Sequence, residues 1–477
     1  MRVLAGGVVA ALALAGAGLK AHGQTGGVVQ PPSPVKIVQQ GSSSANYQGS
    51  ATTQRLVNGV LPLSLDDAIA LGLKHNLGLI LTRQNGLSAH GQELSQLQAL
   101  LPAVDAKATA AVQQNDLQAQ GLRIAGFPTI IGPYGYTDIR GSLKWSLLDL
   151  SGLQNYLAAK HDFAGAKLSM EDARNLVVLT VGNAYLTCIA DKSRIETEQA
   201  QVNTAKVSLD QAVQNHQAGV SPLLDELRAR VDYQSQQQAL ITAQNAYDKD
   251  RLALARAIGL PLEQKYKLTT EAPYAPLDHL DPDAAVKEAL ALRSDLKAMK
   301  EQVAAAKHAR KAATDERLPV IGFSGDYGDI GVNPSHSHGT GNASGTLDVP
   351  LFEEGKLRGD AQQSQAQLEQ AEARLSDMEG QISADVRDSI LDIQAAEKQV
   401  AVAQSNVNLA KEALTEAQER FKAGVADNLE VSEALRALAQ ANDRYVNSLY
   451  EHNLAKLSLA RALGVAGNNY KLYVGGK

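Results

Sequence analysis

Cysteine is almost absent: Cys188 stands alone in 477 residues. That excludes an internal disulfide framework and a multi-cysteine metal site. Its place in a helical pattern reads as packing. Aromatic residues are scarce at 4%, so the chain does not describe thick aromatic-cored domains. Ala, Gln and Leu dominate long tracts instead, which suits long helices packed through small residues. Charge of one sign is not in excess. Lys and Arg number 45 against 51 Asp and Glu, a net charge of −6, so there is no basic footprint for nucleic acid. Beyond the N-terminus, no run approaches the ~20 apolar residues of a membrane helix. Nucleophile motifs, phosphate loops and metal-ligand clusters are missing too. No catalytic, cofactor or metal site is therefore expected. His336-x-His338 in a Gly/Ser loop reads as solvated.

What is present is a duplication. The segment opening at Ala68-Ile69 and stopping at Leu101-Pro102 recurs 217 positions on, at Ala285-Val286 and Leu318-Pro319. Val202-Asn203-Thr204-Ala205-Lys206 recurs as Val407-Asn408-Leu409-Ala410-Lys411, and Leu254-Ala255-Arg256-Ala257-Ile258-Gly259 as Leu459-Ala460-Arg461-Ala462-Leu463-Gly464, both 205 on. The first copy is thus 12 residues longer between the matched regions, an excess expected in a loop. Such a repeat predicts two copies of one unit about a pseudo-twofold axis.

The N-terminus reads as a targeting segment. Arg2 is a short basic region, Val3–Leu19 is apolar, and Ala15-Gly16-Ala17 or Leu19-Lys20-Ala21 offers a cleavage site. The expected organisation is a signal peptide at 1–21 and a flexible or loosely docked extension at 22–62. The first repeat follows at 63–260, with a hairpin at about 103–148. A connector takes 261–282. The second repeat spans 283–464, with a hairpin at about 320–352, and a tail follows at 465–477.

Within each repeat a helix begins near a cap (Ser64, with Asp66 and Asp67 in the first turn) and ends at Pro102 or Pro319. The period then switches to two. Val104, Ala106, Ala108, Ala110 and Val112 alternate with polar residues. So do Ile139, Gly141, Leu143, Trp145 and Leu147 after a loop holding Gly126-Phe127-Pro128 and Gly132-Pro133. The second copy repeats this around Asn333-Pro334. Each copy predicts one hairpin with strands of roughly 9–11 residues, bilayer-crossing length. Long helical tracts follow, from about 151 to 218 and from about 355 to 423, each ~100 Å at 1.5 Å per residue. Gly219 and Gly424 stop them. Return helices start at once, with Ser221 as cap and Pro222 at the first helical position in copy one, and Asp427 as cap in copy two. A long helix lying beside two shorter ones stacked end to end fits these lengths. Val202, Ala205, Leu209 and Ala212 form a small-residue heptad seam.

Two hairpins supply four strands. A closed membrane barrel needs about eight, and an open edge in lipid is excluded. Copies of the chain must therefore complete the cylinder. Asp105, Lys107, Asp138, Arg140 and Lys144 fall on the polar side and suit a water-filled lumen. Trp145 lies near a strand end, as in an interfacial belt. A soluble coiled-coil scaffold is the alternative.

The helix–hairpin–long helix–return helix plan, the tip turns Gln217-Ala218-Gly219-Val220-Ser221-Pro222 and Phe421-Lys422-Ala423-Gly424-Val425, and the repeated Leu-Ala-Arg-Ala-(Ile/Leu)-Gly resemble the TolC-like outer membrane efflux proteins. The resemblance implies a mainly α fold with membrane β: a trimeric 12-stranded barrel in the outer membrane of a Gram-negative bacterium, continuing into a periplasmic helical coiled-coil barrel. It implies a passive, non-enzymatic exit channel for an efflux or type I secretion system. It also implies a periplasmic adaptor and an inner-membrane pump as partners. A periplasmic adaptor is a rival reading, although adaptors carry one helical hairpin and this chain has two. By the same resemblance Glu430 and Glu433, with Asp225 and Phe421, ring a periplasmic gate. The turns Gly219, Val220, Ser221 and Gly424, Val425, Ala426 dock the adaptor. Asp427-x-x-Glu430 also reads as a capping box, and Asp225 as a first-turn acid. Ala426 stands where the family often has a basic tether, and Phe421 where a tyrosine is frequent.

Overall fold

The computed structural model describes residues 47–51, 55–119, 121, 125–270, 274–277, 280–423, 425, 428–467 and 470–471. These fall in one compact unit, Ser44–Lys477. The expected signal peptide, Gly424, Ala426 and Asp427 lie outside the described residues.

The repeat is plain in the element order. The first copy runs β1 (Leu61–Leu63), α1 (Leu65–His75), α2 (Leu77–Leu100), β2 (Ala103–Asp116), β3 (Ile130–Leu148), α3 (Leu150–Gln217) and α4 (Leu223–Ile258). The second runs β4 (Tyr266–Leu268), α5 (Pro282–Leu292), α6 (Ser294–Asp315), β5 (Val320–Gly331), β6 (Ser337–Asp348), α7 (Glu354–Lys422) and α8 (Asn428–Ala462). Strands β2-β3-β5-β6 form one antiparallel sheet in that order, and β1 pairs with β4 in parallel. The long α3 is flanked by α2 and α4 on one side and by α6 and α8 on the other. The layer then ends in α7, which packs on α6 and α8.

The helix predicted from Ser64 to Leu101 is two helices. Ser64 caps α1 with a reciprocal box to Asp67, but the chain breaks at Asn76, whose backbone is extended. Its side chain is fully buried. It accepts from the Gly78 N–H at 2.9 Å and donates to the Tyr47 carbonyl at 2.5 Å and the Ala257 carbonyl at 3.4 Å. Those three bonds offset the helical bond lost at the break. Arg293 breaks the second copy at the matching place and reaches the matching carbonyl, Ala462, at 3.5 Å. Each return helix then closes on a left-handed glycine, Gly259 or Gly464 (φ 78° in both). A Cβ on Gly259 would sit 2.6 Å from that of His75.

Three further features complete the frame. The extension is docked where it is described. Tyr47 is buried, and the Ser50 hydroxyl donates to the Arg256 carbonyl. The tail is tied to α1 through Tyr470 and Lys471, which donate to Asp66 at 2.5 and 2.6 Å. Burial alone would raise the Asp66 carboxyl, but the bonds from Lys471 and Tyr470 hold it below its ordinary value. Finally, one stretch of α3 is long and apolar enough to cross a membrane by composition, and half of it is buried. α3 passes through the main core, where its own Val177, Val178, Val181, Tyr185 and Leu186 are buried. Its apolarity follows from being covered by helices on both sides.

Candidate functional site

The sheet has two chemically distinct faces, and the register defines them. Paired residues of an antiparallel ladder share a face. Asp105 opposes Ser142, Lys107 opposes Arg140, Thr109 opposes Asp138 and Ala103 opposes Lys144. The five residues expected to line a lumen therefore lie on one face. Asp326 joins them opposite Ser142. Arg140 binds both Asp138 and Asp326 at 2.8 Å, tying the two hairpins together on that side. The other face carries Val104, Ile139, Trp145, Tyr327 and Leu347, all exposed, Val104 at 77% and Leu347 at 66%. The Trp145 indole N–H donates to the Leu100 carbonyl at 3.1 Å, at the junction with the helices. Exposed apolar residues on one face and charges on the other suit a wall between lipid and water.

The strands are longer than predicted, 14 and 19 residues in the first hairpin and 12 and 12 in the second. Gly132-Pro133 lies inside β3, not in the loop. The first copy's excess is thus spent partly on strand. The second hairpin ends at Asp348 instead of about 352.

At the far end of the long helices stand the tips. In the first, Gly219 is left-handed (φ 78°) and the Asn215 carbonyl accepts from Val220 and Ser221, a Schellman-type stop. With its N–H bound there, Ser221 stays in the turn. Pro222 becomes the residue before α4, and no side chain caps that helix. The Ser221 cap expected from sequence is therefore absent. His216 meets Glu226 at 2.9 Å, and Arg230 meets Glu226 at 2.6 Å. Asp225 is buried, with Arg228 at 3.8 Å. In the second tip Val425 donates to the Arg420 carbonyl. Phe421 is buried with Leu414, Ala417, Val431 and Leu435. Glu430 binds Arg420 at 3.1 Å, while Glu433 is exposed.

The outer membrane efflux protein family matches residues 82–260 and 285–465. This chain belongs to that family. The pyoverdine export outer membrane protein OpmQ of Pseudomonas putida is 24% identical over 64% of this chain and 66% of its own length, just under two thirds. Outer membrane protein OprJ of Pseudomonas aeruginosa is 24% identical over 91% of both chains. Among solved structures, the Campylobacter jejuni CmeC outer membrane channel superposes with a TM-score of 0.76 at 17% identity, over 88% of this chain and 92% of that one. The duplicated mainly α fold with a β part is thereby shared with known members.

Within the family frame, the structure keeps Glu430 on the tip hairpin beside Arg420, and turns Phe421 inward. Sequence reading missed two ion pairs near the tips. One is Arg420–Glu430. The other is Arg436–Asp232 at 2.9 Å, which joins the two return helices. The signal for the second was present: Asp232 and Arg436 lie one residue out of phase in the 205-residue repeat. Only the packing of α4 on α8 brings them together.

Proposed function

We propose that this chain is the subunit of a trimeric outer-membrane exit channel, serving a tripartite efflux or type I secretion system. The observation that carries it is a shared incompleteness. Strands β2 and β6 are unpaired edges of a four-stranded sheet with an exposed apolar face. Helices α2 and α4 on one flank and α7 on the other end the helical layer at corresponding positions. Those flanks expose apolar residues too: Leu81, Leu87 and Leu94 on α2, Ile241 on α4, and Leu391, Val402 and Leu409 on α7. An open edge is intolerable in lipid. Three copies would supply 12 strands, enough to leave a polar lumen. Transport is passive, without catalysis by this chain. The polar face with Asp105, Lys107, Asp138, Arg140 and Lys144 lines the pore.

The tips meet a periplasmic adaptor coupled to an inner-membrane pump. Val220 and Val425, exposed at 72% and 69% on equivalent turns, suit an apolar docking contact, within Gly219–Ser221 and residues 424–426. Glu430 and Glu433, with Asp225 at the position of the first tip equivalent to Glu430, supply carboxylates to the closed end, where a ring of acids favours cations. Phe421 acts there by holding the tip hairpin shut.

Membrane fractionation with heat-dependent migration on detergent gels tests the reading. An outer-membrane oligomer that dissociates on heating is expected. A protein wholly in the soluble periplasm, as an adaptor or scaffold would be, rejects it. So does a folded, membrane-embedded monomer in mild detergent.

A further inference from the structure

One connector runs between the two repeats, and each return helix holds it by the same device. On α4, Arg251 donates to the Tyr266 carbonyl at 3.1 Å. Its guanidinium lies over the rings of Tyr266 and of Tyr247, one turn back on the helix. Tyr247 and Arg251 have His452 and Lys456 of α8 as their counterparts, 205 on. Lys456 donates to the Ala275 carbonyl at 3.0 Å, and the His452 ring meets the Tyr274 ring at 4.9 Å. A further hold comes from α7, where Glu397 accepts from the Leu277 N–H at 3.3 Å. We propose that the second anchor is a proton-sensitive clasp: neutral His452 keeps residues 274–277 on α8, and a proton on its ring releases them while the first anchor stays closed.

The two anchors differ in what they bury. His452 is 0% exposed and Lys456 2%, whereas Tyr247 and Arg251 are only partly buried. Neither ring nitrogen of His452 has a hydrogen-bond partner, so the buried neutral ring costs stability that an apolar side chain would not. A proton there would stand in a dry site one helical turn from the Lys456 ammonium. From α7, Glu397 acts on both groups, but its carboxylate is shared with the Leu277 N–H. The connector brings the Tyr274 ring, whose cation–π attraction is far weaker than the hydration an imidazolium loses on burial. No charge from α3 acts on His452 among the described residues.

The direction of the switch follows. Burial, then the charge of Lys456, hold the imidazole below its ordinary value, while Glu397 pulls it up. The released ring takes its proton at about pH 6.5, and the clasped ring only below that. The clasp is therefore at full strength above about pH 6.5 and weakens as pH falls. At the first anchor, the Arg251 guanidinium and the Tyr247 and Tyr266 phenols keep one charge state between about pH 5 and 8.

Hydrogen exchange of the full chain in mild detergent, read by mass spectrometry at pH 7.5 and pH 5.0 and corrected for intrinsic rates, tests the clasp. Peptides spanning residues 274–277 are expected to lose about tenfold in protection on acidification, since one proton shifts such an equilibrium by up to about tenfold per pH unit. Peptides spanning Tyr266–Leu268 are expected to keep theirs. His452→Phe and the smaller His452→Leu should each hold the protection of 274–277 at pH 5.0. Loss at both anchors alike, loss at neither, or an undiminished loss in the folded His452 variants overturns the clasp. The comparison of the two anchors within the unsubstituted protein needs no variant, so a substitution that fails to fold leaves the test standing.

Discussion

In the first tip His216 faces Glu226 at 2.9 Å; at the matching positions of the second tip, Phe421 and Val431 are buried in one apolar cluster. The backbone device is the same, a carbonyl one turn back accepting from the residue after the glycine position. The side chains that close the hairpin are of opposite kinds. A similar contrast recurs higher up. Asp191 of the first copy is buried between Arg194, at 3.6 Å, and the like charge of Asp250, whereas Ala396 and Ala455, the counterparts of Asp191 and Asp250, are plain buried alanines. Duplication thus conserved the backbone path and left the filling free to diverge. The path is set by helix stops and glycines, and the filling needs only to be the right volume or properly paired.

The largest expected effect is at the two helix breaks. Arg293 and Asn76 stand at equivalent breaks and reach equivalent carbonyls. Arg293 also binds Asp295 at 2.6 Å and Asp385 at 3.1 Å. Arg293→Met leaves the partly buried Asp295 without its main partner, with Arg461 standing off at 3.8 Å, and is expected to cost about 4 kcal/mol. Asn76→Ala removes neutral bonds and one cap, a loss of about 2 kcal/mol. Denaturant melts of the two variants measure the gap, and equal losses would make the breaks interchangeable.

Next comes the apolar tip. Phe421→Ala is expected to cost about 3 kcal/mol locally, read as faster proteolysis between α7 and α8 with the α3–α4 turn unaffected.

A smaller effect of opposite sign is expected from Asp191→Ala with Asp250→Ala, which copies the second repeat onto the first. Burial, together with the neighbouring Asp250 carboxyl, raises the Asp191 carboxyl to about 6. A raised acid binds its proton more readily when folded. Native stability therefore falls as pH rises from the unfolded carboxylate range, near 4, to about 6, and stays lower above that. The double variant should gain about 1–2 kcal/mol at pH 7.5 and lose this slope, as thermal melts across pH 4–8 would reveal.

The smallest effect on stability comes from Glu430→Gln with Glu433→Gln, side chains at least partly exposed. Melting should barely move, while cation block or selectivity in planar bilayers decreases. Unchanged conductance would leave Glu430 only its pairing with Arg420.

Much of this was legible in one dimension. The change of period at Pro102 and Pro319 marked both hairpins, and the glycines marked the helix ends. Alternation in β2 and β3 already separated Asp105, Lys107, Asp138, Arg140 and Lys144 from their apolar neighbours, because a strand turns successive side chains to opposite faces. Periodicity could not reveal the break at Asn76, since its compensation comes from Tyr47 and Ala257, far away in sequence. The inward turn of Phe421 depended in the same way on Val431 and Leu435 across the hairpin.

By itself, then, the sequence determined the duplicated plan, the lengths of its long and return helices and the two-faced character of its strands, all properties of local spacing. The tertiary structure alone decided the strand order β2-β3-β5-β6, the ion pairs Arg140–Asp326 and Arg436–Asp232, and the edges left without partners. Those are contacts between segments far apart in the chain, and no local pattern encodes which distant surface a face will find.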